Sequence, residues 1–277
     1  MLVDMKQMVN DAANAHYAVP AFNVFGYEDA KAVVEAAEEV GAPVILATNI
    51  AALKHMPLPY LAPVLTRLAK DAAVPVVVHL DHGKDIHAVK EAIAHGYSSV
   101  MFDGSQLPLE DNIARTKEIA ELAKASGVSM EAEIGSVGYS DPAMQMKHIL
   151  TDPDEAARFA EETGIDAVAV SIGTVHRMTD RSAQLDFDLL QRIQDKTRTP
   201  LVIHGSSGVP DDQLRRLVTY RVGKINIGTA LRMAFGQTLR REMMNRPDEF
   251  DRIALFKPAM EAVKAAAIDK FRVLGFA

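Results

Sequence analysis

Eight short apolar runs, each followed by polar or helix-patterned sequence, constrain the fold of this chain more than any other feature. The runs fall at 19–24, 43–48, 74–80, 98–103, 128–134, 166–172, 201–204 and 224–227. Each is too short for an ordinary buried helix and several are rich in β-branched residues. They therefore read as strands covered on both faces, the composition a parallel sheet demands. Between them, 28–40, 85–95, 109–126 and 211–220 carry apolar residues at spacings of three and four and read as amphipathic helices. The helix ends are punctuated as expected. Asp152 can cap a helix with Pro153 in its first turn and Glu155 at the third position, and Gly164 follows the last turn; Gly41, Gly96 and Gly127 stand in the same place after three others.

Eight strand-then-helix units in 277 residues, close to the ~250 typical of the fold, predict an α/β protein with a (β/α)8 TIM barrel spanning 1–277 as a single domain. A doubly wound sheet is the alternative. The unit count and the absence of a GxGxxG turn after the first strand disfavour it. The chain has no cysteine, which excludes disulfides, thiolate nucleophiles and cysteine-ligated metal. Any transition-metal site must draw on His, Asp and Glu. A net charge of −7 with no basic block argues against nucleic acid or an anionic membrane as the main partner. No apolar run approaches the roughly 20 residues needed to span a bilayer, and no signal peptide opens the chain, so a cytoplasmic location is expected.

If the barrel is right, catalytic groups gather at the C-terminal ends of its strands. The third strand ends in His79, Asp81 and His82, the fourth in Asp103-Gly-Ser105, and the fifth carries Glu131 and Glu133. The sixth runs into Ser171-Ile-Gly-Thr-Val-His176, the seventh into His204-Gly-Ser-Ser-Gly208, and the eighth into Asn226-Ile-Gly-Thr229. Any one of these histidines alone reads as an ordinary hydrogen-bonded strand-end residue. His82, His176 and His204 together, from three strand ends, suit a catalytic Zn²⁺ with an open fourth position, placed to polarise a carbonyl or stabilise an oxyanion. His16, His55, His87, His95 and His148 lie in helical or loop contexts and carry no such expectation. His79 is ambiguous in direction and could orient a ligand or Asp81. Gly205, Ser207 and Gly208 let backbone amides approach an anion, and Gly228-Thr229 opens a helix whose N-terminus favours phosphate. A divalent metal facing a phosphate site points to enolisation, aldol cleavage or isomerisation, with hydrolysis still open. Asp81 is placed to exchange protons with a hydroxyl.

Asp81-His-Gly, Val100-Met-Phe-Asp-Gly-Ser105, Glu131-Ala-Glu-Ile-Gly135, Ile172-Gly-Thr-Val-His176, His204-Gly-Ser-Ser-Gly208 and Asn226-Ile-Gly-Thr229 occur in the order seen in one family. The chain resembles the class II, metal-dependent ketose-bisphosphate aldolases of the fructose/tagatose-bisphosphate aldolase family, from Ala21-Phe-Asn23 to Ala262-Val-Lys264. The resemblance implies that His82, His176 and His204 hold Zn²⁺ or another divalent metal and that Asp81 shuttles the proton of the substrate C4 hydroxyl. It implies a second or alternative metal position at Asp103 and Glu133. It assigns Gly205, Ser207, Asn226 and Thr229 to a dihydroxyacetone phosphate part, with a monovalent cation near the phosphate; Asn23 and Gly228 complete the expected substrate-binding set. It further implies a homodimer or homotetramer that breaks the C3–C4 bond of a ketose phosphate reversibly, to an aldehyde and an enediolate, without a lysine Schiff base.

Departures cluster at the other end of the substrate. Arg177 stands where family members usually carry glycine, Asn49 where serine is familiar, Gly26 and Tyr27 where an Asn/Glu pair is usual, and Ala230 where an acid is common. The loop Gly138-Tyr-Ser-Asp141 replaces Gly-Gly-x-Glu, so Asp141 would be the acid that protonates the enediolate. The expectation is an aldolase whose donor is dihydroxyacetone phosphate or a close relative and whose aldehyde need not be glyceraldehyde 3-phosphate. Arg177 would favour an anionic aldehyde end by charge and fork geometry. The alternatives are a non-catalytic sugar-phosphate-binding subunit or sensor, and a metal-dependent sugar-phosphate isomerase or epimerase. Leu231, Met233, Phe235, Met243 and Met244 read equally as a dimer surface or as helix packing on the barrel.

Overall fold

Eight parallel strands close on themselves: β1 (Val19–Asn23), β2 (Val44–Thr48), β3 (Val76–Gly83), β4 (Ser99–Phe102), β5 (Ser129–Ile134), β7 (Ala167–Val170), β9 (Leu201–Ile203) and β10 (Val222–Ile227). They follow chain order around the ring, and β10 pairs with β1 through Val19 opposite Lys224 and Phe22 opposite Ile227. The computed structural model describes residues 1–140 and 148–276. Helices α2 (Tyr27–Val40), α4 (Leu58–Asp71), α5 (Ile86–Ala94), α6 (Leu109–Ala125), α7 (Pro153–Thr163), α8 (Phe187–Lys196), α9 (Asp211–Leu217), α10 (Thr229–Asn245) and α11 (Arg252–Val273) form the outer layer, with the short α3 (Ile50–His55) after β2. Asp152 caps its helix as its position suggested, Asp85 likewise caps α5, and Gly41 and Gly164 end their helices in the left-handed conformation. Among the described residues no helix is long and apolar enough to cross a membrane.

Strand alternation divides the core in two. Phe22, Leu46, Val78, Val100, Ile134 and Ile203 point outward against the helices, while Ala21, Ile45, Val77, Ala167, Ala169 and Val202 fill the lower interior. Higher on the same inward faces the residues turn polar: His79 and Asp81 above Val77, Glu131 and Glu133 above Ser129, Lys224 and Asn226 on β10. The barrel is thus oily at its base and charged toward its C-terminal mouth.

A helix that the strand–helix pattern did not predict, α1 (Lys6–Ala15), lies across the base. Met5 at its N-cap, with Val9 and Ala12, joins the interior cluster, and the Met5 amide donates to Ser129 Oγ at 2.9 Å. Val9 sits so close to β10 that a Cβ at Gly223 would lie 2.2 Å from the Val9 carbonyl oxygen. Two further short strands, β6 (Gly138–Tyr139) and β8 (Val175–His176), pair in parallel outside the barrel. His176 therefore belongs to this separate ribbon and not to the end of β7.

Candidate active site

Asp81 and His82 are neighbours in sequence yet serve the same cavity. Plain alternation would send them to opposite faces. The pairing of β3 with β4 slips between Leu80 and Gly83, and His82 takes a left-handed backbone (φ 52°). Such an irregularity re-aims a side chain at the rim of a barrel.

The Asp81 carboxylate is held at both oxygens. Asn23 Nδ2 donates to Oδ2 at 2.7 Å and Asn226 Nδ2 donates to Oδ1 at 3.0 Å. Burial by itself would push its pKa up, but His82, His204 and Lys224 outweigh it and hold the carboxyl well below the usual carboxylate range. An ionised carboxylate at the cavity wall is a ready base.

The three imidazoles converge beside it. Ring centroids of His82 lie 5.1 Å from His176 and 4.7 Å from His204, and one nitrogen from each ring lies within 4.8 Å of the others. His82 Nδ1 is bound to Asp103 at 2.7 Å, whereas its Nε2 is buried and has no hydrogen-bond partner among the described residues. A buried nitrogen without a hydrogen-bond partner, grouped with two other imidazoles, is suited to coordinate a cation. His204 lies between Glu131 (2.8 Å to Nε2) and Glu133 (3.0 Å to Nδ1). Burial favours its neutral ring, but these carboxylates prevail and raise its pKa to about 10. A divalent cation competes for such a basic nitrogen. The residues present fit a catalytic metal: three converging imidazoles, carboxylate partners on His82 and His204, and one side open toward the cavity. His82, Asp103 and Glu133 form a second convergent group, with Lys84 Nζ 2.5 Å from Asp103.

Across the cavity the chain offers an anion cradle. Gly205 adopts φ 68°, the left-handed region, and introduces the 3₁₀ turn Ser206–Gly208. Ser207 Oγ accepts from the Ala230 amide at 3.3 Å, joining this turn to the first turn of α10, which Gly228 and Thr229 open. A helix N-terminus beside a glycine turn attracts phosphate. Asn23, Asp81, Gly205, Ser207, Asn226, Gly228 and Thr229 line one cavity of about 370 Å³ together with His82 and His176.

The remaining rim is basic. Asn49, Lys54, Arg177 and Arg232 line the same cavity. Asn49 caps α3, its Oδ1 accepting from Ala51 and Ala52, so only its amide nitrogen remains to meet a ligand. Arg177 has φ 62°, and its guanidinium carbon lies 5.5 Å from the centre of the Tyr139 ring. That ring in turn lies 4.8 Å from His176. Arg232 lies over Phe25 at 5.0 Å. Asp141 lies outside the described residues. Sequence reasoning did not assign Lys224, Tyr139, Lys84 or Arg232 to the site. Lys224 shares the inward face of β10 with Asn226, two residues on, and that spacing was the signal.

A base beside a divalent-cation site, with a phosphate cradle across the same mouth, is the equipment of a barrel lyase working next to a carbonyl. The chain belongs to the class II fructose-bisphosphate aldolase family, whose model matches residues 3–277; it is a class II aldolase, a carbon–carbon lyase. It is 37% identical over 278 residues to the fructose-bisphosphate aldolase of Geobacillus stearothermophilus, covering 99% of this chain and 97% of that protein. It is also 37% identical over 278 residues to the 6-phospho-5-dehydro-2-deoxy-D-gluconate aldolase of Bacillus subtilis, covering 99% and 96%. The crystal structure of the YdjI aldolase from Escherichia coli K12 superposes with a TM-score of 0.88 at 34% identity, covering 100% of this chain and 98% of that one.

Proposed function

We propose that this aldolase reversibly cleaves a ketose 1-phosphate or 1,6-bisphosphate, zinc-dependently, to dihydroxyacetone phosphate and an aldehyde. The observation that carries the reading is the two-amide clamp on Asp81, set between the imidazole trio and the anion cradle. The donor phosphate would sit on Gly205, Ser207, Gly228 and Thr229, with a monovalent cation beside it. Asp81 would take the proton of the C4 hydroxyl as the C3–C4 bond breaks and return it in synthesis. Zn²⁺ held by His82, His176 and His204, with Asp103 and Glu133 as a second position, would polarise the substrate carbonyl and stabilise the charge developing on its oxygen. Asp141, on the segment that follows β6, would supply the acid for the donor carbon.

The aldehyde end is read from charge. Lys54, Lys84, Arg177 and Arg232 line the cavity with Asp81 as its single carboxylate among the described residues, so an anionic acceptor is favoured over a neutral one. Equal identity to a fructose-bisphosphate aldolase and to an enzyme named for a phosphorylated sugar acid leaves both kinds of anionic end open. A cytoplasmic homodimer or homotetramer completes the reading, supported by exposed Met244, Phe250 and Ile253 where α10 meets α11. The test is aldol cleavage across fructose, tagatose and other ketose phosphates with neutral and acidic far ends, with and without chelator. Chelator-sensitive release of dihydroxyacetone phosphate supports the reading. A rearranged ketose, or bound zinc without turnover, would replace it with an isomerase or a sensor, and an unrivalled preference for fructose 1,6-bisphosphate would remove the unusual acceptor.

A further inference from the structure

Lys224 is enclosed in the barrel interior and does not line the cavity. Its side chain and that of Glu131 are both 0% exposed, and Nζ lies 2.8 Å from Glu131 Oε2. Two charges removed from water are costly to fold around, and well-packed apolar side chains in their place are often as stable or more so. Stability is therefore a poor account of the pair. The geometry offers another. Nζ also donates to Asn226 Oδ1 at 2.6 Å. An ammonium group donates and never accepts, so it forces the carbonyl end of the Asn226 amide downward and leaves the NH₂ end facing up. That NH₂ is the group that reaches Asp81 Oδ1 at 3.0 Å.

We propose that Lys224 is a positioning residue for the aldol reaction: it sets the orientation of the Asn226 amide, and through it the line along which Asp81 meets the substrate hydroxyl. The proposal rests on the reading of Asp81 as the base. The chain of contacts is directional, running from the Glu131 carboxylate through the ammonium and the amide to the Asp81 carboxylate. Without the ammonium, Asn226 could present either end of its amide to Asp81, and one of them would set oxygen against oxygen. Glu131 pairs with Lys224 in this interior and at the same time reaches His204 Nε2 at 2.8 Å, so the same buried pair stands beneath both the base and a histidine of the metal group.

The test uses the zinc-loaded full chain with Lys224→Met, and beside it Lys224→Met/Glu131→Gln, which leaves no unpaired buried charge, both at saturating Zn²⁺. Crystals of either variant should show Asn226 displaced from Asp81 beyond about 3.5 Å. With a cleaved ketose phosphate, kcat should fall about 10–100-fold while KM stays within about threefold. Adding Lys224→Met to Asn226→Ala should lower kcat by less than about twofold, because the two act through one contact. Asn226 keeping its place beside Asp81 in the variants, or losses that multiply in the double variant, would overturn the proposal. If no ketose phosphate is cleaved the functional reading fails, and the position of Asn226 in the variant crystals still decides the role of Lys224.

Discussion

Asn23 and Asp81, separated by 58 residues and by the whole of β2, meet at 2.7 Å through amide and carboxylate. With Asn226 on the other oxygen, the carboxylate cannot rotate without breaking a hydrogen bond. Asp81→Asn should lower kcat about 10²–10⁴-fold, as loss of a general base does, while zinc content is unchanged. Asn23→Ala should cost about 10²-fold in kcat by loosening the same group. Steady-state kinetics with metal analysis check both; a normal kcat in Asp81→Asn would remove it from the mechanism.

Removal of metal should abolish turnover, and Zn²⁺ should restore it. Replacing His82, His176 or His204 with Ala should prevent that restoration at stoichiometric Zn²⁺. Glu131→Gln keeps all three imidazoles but weakens the partner on His204 Nε2, so metal affinity should drop about 10–100-fold. Competition with a metal-binding dye measures this directly, independently of any substrate.

Arg177 lies in a backbone region that suits glycine. Arg177→Gly should relieve about 1–2 kcal/mol of left-handed strain and forfeit about 0.5–1 kcal/mol of chain entropy, for a net gain of up to about 1.5 kcal/mol. Selectivity should move the opposite way, with kcat/KM for substrates bearing an anionic far end falling about tenfold relative to neutral ones. Denaturant titration and paired substrates read the two effects separately, and an unchanged substrate ratio would make Arg177 a bystander.

Asp29, in the first turn of α2, accepts from the Phe25 and Gly26 amides at 2.7 and 3.0 Å. Burial outweighs these donors and raises its pKa from 3.8 to about 6. A raised folded-state value means the folded chain holds the proton more tightly. The stability this contributes is fully present below about pH 4 and is lost as pH rises through about 6, a difference of about 3 kcal/mol for this group. Urea unfolding of the wild type and Asp29→Asn at a series of pH values should show the wild type losing more stability between pH 4 and 7. Parallel curves would contradict it.

The barrel was legible because its strands are buried on both faces, which leaves runs such as Val76-Val-Val78 without a polar alternation to confuse them. The histidine trio was legible only as three strand ends. What made it a cluster is structural: a slip in the β3–β4 pairing that turns His82 to the side of Asp81, and a two-residue ribbon that carries His176 inward beside Tyr139. Ribbons of two residues have no period to read. The direction of His79, ambiguous beside Leu80, is set by Ser99, which meets its Nδ1 at 2.8 Å inside the barrel. Lys224 went unassigned because a lysine in an apolar run looks like a strand edge until the closed ring shows which way it points.

The helix across the base of the barrel ties residues near the start of the barrel sequence to β10, its last strand, since Val9 rests on Gly223. A chain emerging from the ribosome holds that helix long before its seat exists. Closure must therefore await synthesis of β10, because the seat of Val9 is incomplete before Gly223 is in place. Such a long-range contact forms slowly compared with the pairing of strands that are neighbours in sequence.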